Sequence, residues 1–146
     1  MHTLKKILQS ITLILLICCA MQLGCKKDVS LDLSGTYSIK LNHTKNIPYK
    51  GKAATITVNT ISDSRCPSNA VCVRAGDASV KLTIEDAKQK QVVELCKGDC
   101  GYTSKPGVKE LVLNDVLYTV TLDDVTPYPG EKNATQTAVI SIKKGR

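Results

Sequence analysis

The sequence contains neither phenylalanine nor tryptophan, and tyrosine, at five residues, is its only aromatic side chain. A hydrophobic core must therefore come from valine, isoleucine, leucine, alanine and tyrosine, and the β-branched members of this set favour strands. The basic residues are not interleaved with aromatic ones, as they are on single-strand nucleic-acid platforms. Although the net charge is +7, we therefore expect no nucleic-acid partner.

Histidine is nearly as scarce, since His43 is the only one outside the first two residues. This excludes zinc catalysis by several histidines, and a histidine-centred triad could depend only on His43. There is also no glycine-rich loop of the kind that holds phosphates. We predict no catalytic residue, no metal site and no cofactor.

Acidic residues occur in two adjacent pairs, Glu85–Asp86 and Asp123–Asp124. Neighbouring side chains on a strand point to opposite faces, so neither pair should converge on one substrate atom. A hydrolase would need carboxylates from separate strands, and this alternative stays open.

No segment after the N-terminal region has the length and period of an ordinary helix, whereas seven short segments have the two-residue alternation of half-buried strands. Residues 78–85 are the clearest, with Ala78, Val80, Leu82 and Ile84 on one face. Residues 42–51 are expected to form a loop. The pattern predicts a single all-β domain over residues 35–146, an antiparallel β-sandwich or flattened barrel of about seven strands. The predicted strands are 35–41, 53–61, 78–85, 92–96, 108–113, 116–125 and 135–143.

The N-terminus is typical of a secretory signal, because Lys5–Lys6 precede an apolar run too short to span a membrane. Leu23–Gly24–Cys25 resembles the lipobox of bacterial lipoproteins, in which the cysteine is lipidated and becomes the first residue. We therefore expect a signal peptide over residues 1–24, a lipid on Cys25 and a polar tether over residues 25–34. The alternatives are ordinary cleavage that leaves Cys25 as a free thiol, or a retained anchor.

Four of the seven cysteines remain once Cys18, Cys19 and Cys25 are assigned to the leader and the lipid site. An even number in an exported chain indicates disulfides. Turn residues lie within both short segments, so we favour the pairs Cys66–Cys72 and Cys96–Cys100. Zinc binding is the alternative, but five residues between Cys66 and Cys72 exceed the usual spacing of a structural zinc site.

The segment between Cys66 and Gly76 is predicted to be a disulfide-closed loop that leads into a core strand. Pro67 favours a chain reversal, and Gly76 tolerates a bulge or tight bend. The main interpretation is structural. In the alternative, Arg65, Arg74 and Asp77 form an exposed ligand site beside the loop.

Three segments together resemble a family of small, uncharacterised bacterial lipoproteins that is common in Bacteroidetes. They are Ser64–Pro67, Cys72–Ala78 with the pattern CxxAG, and Tyr118–Pro129. The resemblance implies a lipid anchor and an all-β fold, and it brings no catalytic residue to this chain.

These observations predict an outer-membrane lipoprotein, on the periplasmic or the surface face, that is a non-catalytic binding or interaction module. Its expected partners are the lipid bilayer, through Cys25, and an envelope protein or glycan. An exported carboxylate-dependent hydrolase and a purely structural envelope protein are the alternatives.

Overall fold

The computed structural model describes residues 32–49, 52–102, 104–131 and 135–145. The predicted signal peptide, Cys25 and most of the tether lie outside them. The described residues form eight strands and one 3₁₀ turn, Cys100–Tyr102. The strands are β1 (Gly35–Lys40), β2 (Thr44–Tyr49), β3 (Lys52–Asp63), β4 (Asp77–Glu85), β5 (Lys90–Gly98), β6 (Val108–Leu113), β7 (Val116–Thr126) and β8 (Thr137–Lys144).

The strands form two antiparallel four-stranded sheets with the orders β1-β8-β7-β6 and β2-β3-β4-β5. The chain therefore makes a meander through β2 to β5, crosses to the other sheet, makes a second meander through β6 to β8, and has β1 paired with β8. The predicted all-β sandwich is confirmed.

The core lies between the sheets and is almost entirely aliphatic. The inward alternation predicted for β4 holds, since Ala78, Val80, Leu82 and Ile84 are all at most 1% exposed. Tyr118 on β7 is the largest side chain that is fully buried. A core without phenylalanine or tryptophan is thus filled by β-branched residues and leucine from both sheets.

The strand registers give the sandwich two distinct ends. At the first, which we call the terminal end, Gly35 pairs with Ile142, and the start of β1 and the end of β8 lie beside the β4–β5 and β6–β7 turns. There the Asn114 amide donates a 2.7 Å hydrogen bond to Asp86. At the opposite end, which we call the loop end, lie the connections after β3, β5 and β7. The nine residues of β4 separate the two ends by about 30 Å.

One segment differs from expectation, because residues 44–49 form strand β2 rather than part of a loop. The segment is mostly polar and contains Pro48, so it lacks the apolar–polar alternation by which the other strands were predicted. The strand lies at the edge of its sheet, where proline is tolerated because one side of the backbone has no ladder partner. Ile47, at 7% exposed, is its inward-facing residue.

No helix in the described part of the chain is both long enough and apolar enough to cross a membrane.

Candidate functional site

The loop between β3 and β4, Ser64–Gly76, is the most elaborate feature of the loop end. Two backbone hydrogen bonds close its base, from Ser64 N to Asp77 O and from Cys66 N to Ala75 O, both 2.8 Å long. The Ser64 hydroxyl also donates to Asp77 O over 3.0 Å. The loop is therefore a continuation of the β3–β4 hairpin.

Gly76 is required at the point where the loop rejoins the sheet. Its φ is +69°, and a Cβ there would lie 2.1 Å from the carbonyl oxygen of Ser64. Any other residue would force the two sides of the loop base apart. The bend predicted at this glycine is confirmed.

Arg65 lies at the centre of a polar cluster beneath the loop. Its Nε and Nη2 donate to the two carboxylate oxygens of Asp63, over 2.8 and 2.6 Å. Its Nη1 donates to Asp124 Oδ1 on β7 over 2.9 Å, and Nη2 also donates to the backbone carbonyl of Val125. The guanidinium thus joins the end of β3 in one sheet to β7 in the other. We call this group, with Tyr128, the Arg65 clamp.

Burial makes the Arg65–Asp63 contact stronger than a surface ion pair, whereas the side chain of Asp124 is 44% exposed. The side chain of Arg65 is 5% exposed and that of Asp63 only 1%. Tyr128 covers the guanidinium, with Cζ 3.8 Å from the ring centroid, which is cation–π geometry. Hydrogen bonding to Asp63 is the main cause that raises the pKa of Arg65 above its usual value, against the opposing effect of burial.

Arg65, one of the three residues of the alternative ligand site, is buried, and its guanidinium nitrogens donate to groups within the protein. Arg74 is exposed. Asp77 is half-buried, and its carboxylate accepts a 3.3 Å hydrogen bond from the Ser64 hydroxyl. The geometry supports the structural interpretation of Arg65.

The residues that hold Arg65 were not identified from the sequence. Asp63 is two positions away and could have been found as a near neighbour of opposite charge. Asp124 and Tyr128 are about sixty positions away, and alternation alone gave no reason to pair them with the loop. Both lie within Tyr118–Pro129, so this segment and the Arg65 loop, noted separately in the sequence, contact each other.

The outer part of the loop is held by the predicted Cys66–Cys72 disulfide, whose Cα atoms are 5.8 Å apart. Ala70 N also donates to Pro67 O over 3.1 Å. On either side of Cys72, Val71 and Val73 are fully exposed. We call Val71–Arg74 the loop tip.

The second predicted disulfide, Cys96–Cys100, lies beside the base of the same loop. Asp99 N donates to Gly76 O over 3.0 Å, and Cys96 Sγ is 3.5 Å from the carboxylate of Asp77. Gly98, between them, has a φ of +105° that favours glycine. The two disulfides therefore brace neighbouring parts of one surface.

The carboxylate pairs each have structural partners. Asp124 belongs to the Arg65 clamp, and Asp123 accepts a 3.0 Å hydrogen bond from Ser141. Asp86 accepts hydrogen bonds from two backbone amides of its own turn, and Glu85 is 3.7 Å from Lys90. These acidic pairs do not form the converging arrangement that a glycosidase needs.

His43 is exposed, with Nδ1 3.0 Å from the carbonyl oxygen of Leu41. Within the described ranges, no three histidine, cysteine or acidic side chains are grouped so as to hold a metal ion. The same ranges contain no buried side-chain nitrogen or oxygen without a hydrogen-bond partner.

Two shallow grooves mark the surface. One, of about 410 Å³, lies at the loop end between Lys40, Thr137 and the start of the β7–β8 connection. The other, of about 440 Å³, lies at the terminal end beside Gln91 and Asn114. The glutamine amides of Gln89 and Gln91 both donate to the carbonyl of Val112 there.

In comparisons with known proteins, no family model matches the chain, and no curated protein or solved structure is significantly similar to it.

Proposed function

We propose that this chain is a lipid-anchored lipoprotein of the bacterial outer membrane whose all-β domain is a non-catalytic binding module. The observation that carries the proposal is that the two ends of the sandwich differ. The chain enters β1 at the terminal end, and both disulfides and the Arg65 clamp brace the loop end about 30 Å away. An anchor at Cys25 would leave the braced loops facing outward.

Two further observations support an exported module. Disulfides persist in oxidising compartments, and the described residues contain two of them, each of which closes a short loop. Its clustered acidic residues are occupied by structural partners, which favours binding over hydrolysis.

The anchor is tested by labelling cells that express the full chain with a radioactive fatty acid and then separating their membranes. We expect the label on the wild-type protein in the outer-membrane fraction. Cys25→Ser should carry no label and should leave that fraction, whereas Cys18→Ser, within the predicted leader, should behave as wild type. An unlabelled wild-type protein, or a Cys25→Ser variant with unchanged location, would contradict the proposal.

The redox state is tested separately by counting thiols in denaturant before and after reduction. The wild-type protein extracted from membranes should show no reactive thiol before reduction and four afterwards, because Cys18 and Cys19 would be removed with the leader and the sulfur of Cys25 would carry the lipid. Four reactive thiols before reduction would contradict export to an oxidising compartment.

A further inference from the structure

The loop tip is the most exposed apolar feature among the described residues. Val71 and Val73 are both fully exposed, whereas the next most exposed large aliphatic side chain, Val92, is 54% exposed. Single exposed apolar residues are common on proteins, but two that flank a disulfide at the outermost point of a braced loop are not explained by folding. We propose that the loop tip inserts into an anionic lipid bilayer.

The shape of the tip favours a bilayer over a second copy of the chain. Two valines offer far less than the roughly 800 Å² per partner that a stable protein interface buries. A convex tip can nevertheless enter the acyl region of a membrane, because fluid lipid needs no matching concave surface. The Cys66–Cys72 disulfide and the loop-base hydrogen bonds keep both valines turned outward, so little ordering remains to be done on insertion.

Charge favours an anionic bilayer in particular. The chain has no acidic residue between Asp63 and Asp77, so no carboxylate of the loop would be brought against lipid phosphates. Arg74 follows Val73 directly and is exposed at the headgroup level. The charge of Arg65 is balanced below the loop by Asp63 and Asp124. An exposed apolar tip followed directly by an exposed cation is the pattern expected at an anionic membrane surface.

The bilayer named here is a facing one and not the one that would hold Cys25, because the tip and the N-terminal residues of the domain lie at opposite ends of the sandwich. The inference therefore does not depend on the proposed anchor. Lipidation and tip insertion are also measured at different residues. Lipidation is measured at Cys25, and insertion is measured at residue 73.

The absence of tryptophan from the chain allows a direct test. In the full chain, Val73→Trp places one indole at the tip, and Val92→Trp places one at an exposed site on β5 as a matched control. Each is mixed with vesicles of phosphatidylglycerol and phosphatidylcholine, and indole emission and quenching by brominated acyl chains are recorded. We expect a blue shift and strong quenching for Val73→Trp and neither for Val92→Trp.

Two second-site changes in the Val73→Trp background refine the test. Val71→Ser should lower the ratio of inserted to exposed indole about tenfold, since it removes apolar surface from the inserted tip. Arg74→Gln should weaken insertion into the anionic vesicles and leave the weaker signal in pure phosphatidylcholine unchanged.

An indole at residue 73 that behaves like the control in anionic vesicles overturns the proposal. So does protection of residue 73 that appears only with envelope proteins, which would assign the tip to a protein cleft.

Discussion

At the scale of single residues, Arg65 determines how the loop is attached to the domain. The sequence indicates its proximity to Asp63, but its burial depends on Asp124 and Tyr128, which only the folded chain brings near. A buried cation is costly unless every donor has a partner, and here Asp63, Asp124 and the carbonyl of Val125 supply them. The structural interpretation of the loop, rather than the alternative of an exposed ligand site, is the one that agrees with this burial of Arg65.

Replacing Arg65 should be strongly destabilising. Arg65→Met would leave the carboxylate of Asp63, 1% exposed, without its charge partner, and we expect the free energy of unfolding to fall by about 3 kcal/mol. Lys81→Ala, which breaks the exposed Lys81–Glu94 pair, should change it by less than about 1 kcal/mol. Urea denaturation measures both. Equal, small effects would mean that the clamp is not a stabilising contact.

Tyr37 should make stability depend on alkaline pH. Burial, and then the charge of Asp32, raise the pKa of Tyr37 above its ordinary 10.0, and its hydroxyl donates a 2.9 Å hydrogen bond to Leu33 O. The unfolded chain therefore loses this proton first. The contribution of the neutral Tyr37 phenol to the free energy of unfolding is fully present below about pH 10. It is lost as the pH rises through the pKa of Tyr37 in the folded protein.

The measurement is urea denaturation of wild type and Tyr37→Phe at about pH 8 and about pH 11. We expect the wild type to lose more stability than Tyr37→Phe between the two values. An identical loss in both proteins would show that Tyr37 titrates in the folded protein as it does in the unfolded chain.

At the scale of elements, alternation predicted the strands whose inward residues are apolar and missed the one that is mostly polar. Among the residues of β2 whose side chains are described, 44–48, only Ile47 is buried, so no alternation marks the strand. The register shifts near Asn59 on β3 and Asp123 on β7 were also beyond the sequence, because a bulge is defined against a partner strand. The shift on β7 lies directly before Asp124 and Val125, which contact Arg65.

Substitution of Gly76 at the loop base should lower the free energy of unfolding, whereas substitution of Gly101 should have little effect. Gly76→Ala would push a Cβ against Ser64 O at positive φ, and we expect a loss of more than about 2 kcal/mol. Gly101 has open space, its nearest atom being the Asp99 carboxylate 4.0 Å away, so Gly101→Ala should cost less than about 1 kcal/mol. Thermal and urea unfolding give both values. A harmless Gly76→Ala would contradict the close approach at the loop base.

At the scale of the whole molecule, the two sheets are held together by the aliphatic core and the Arg65 clamp. Each disulfide joins residues only a few positions apart, 6 for Cys66–Cys72 and 4 for Cys96–Cys100, and therefore closes only a short loop. The sequence could predict both pairs from their turn residues. It could not predict the pairing of β1 with β8, the first and last strands in the described part of the chain.

Removal of a local disulfide should therefore loosen a loop and leave the sandwich intact. Cys66→Ser with Cys72→Ser should lower the free energy of unfolding by about 2 kcal/mol, the amount the chain-entropy model gives for a short loop. Far-ultraviolet circular dichroism should be unchanged, and limited proteolysis should cut first within residues 66–75. Global unfolding of this variant at 25 °C would show that the disulfide holds the sheets together.

The central claim, that a lipid on Cys25 holds this sandwich at a bacterial envelope, is tested most directly by mass spectrometry of the N-terminal peptide of the protein extracted from membranes. The account predicts a peptide that begins at Cys25 and carries the added mass of fatty acyl groups on that residue. A peptide that begins elsewhere, or one that begins at Cys25 with no added mass, would contradict it.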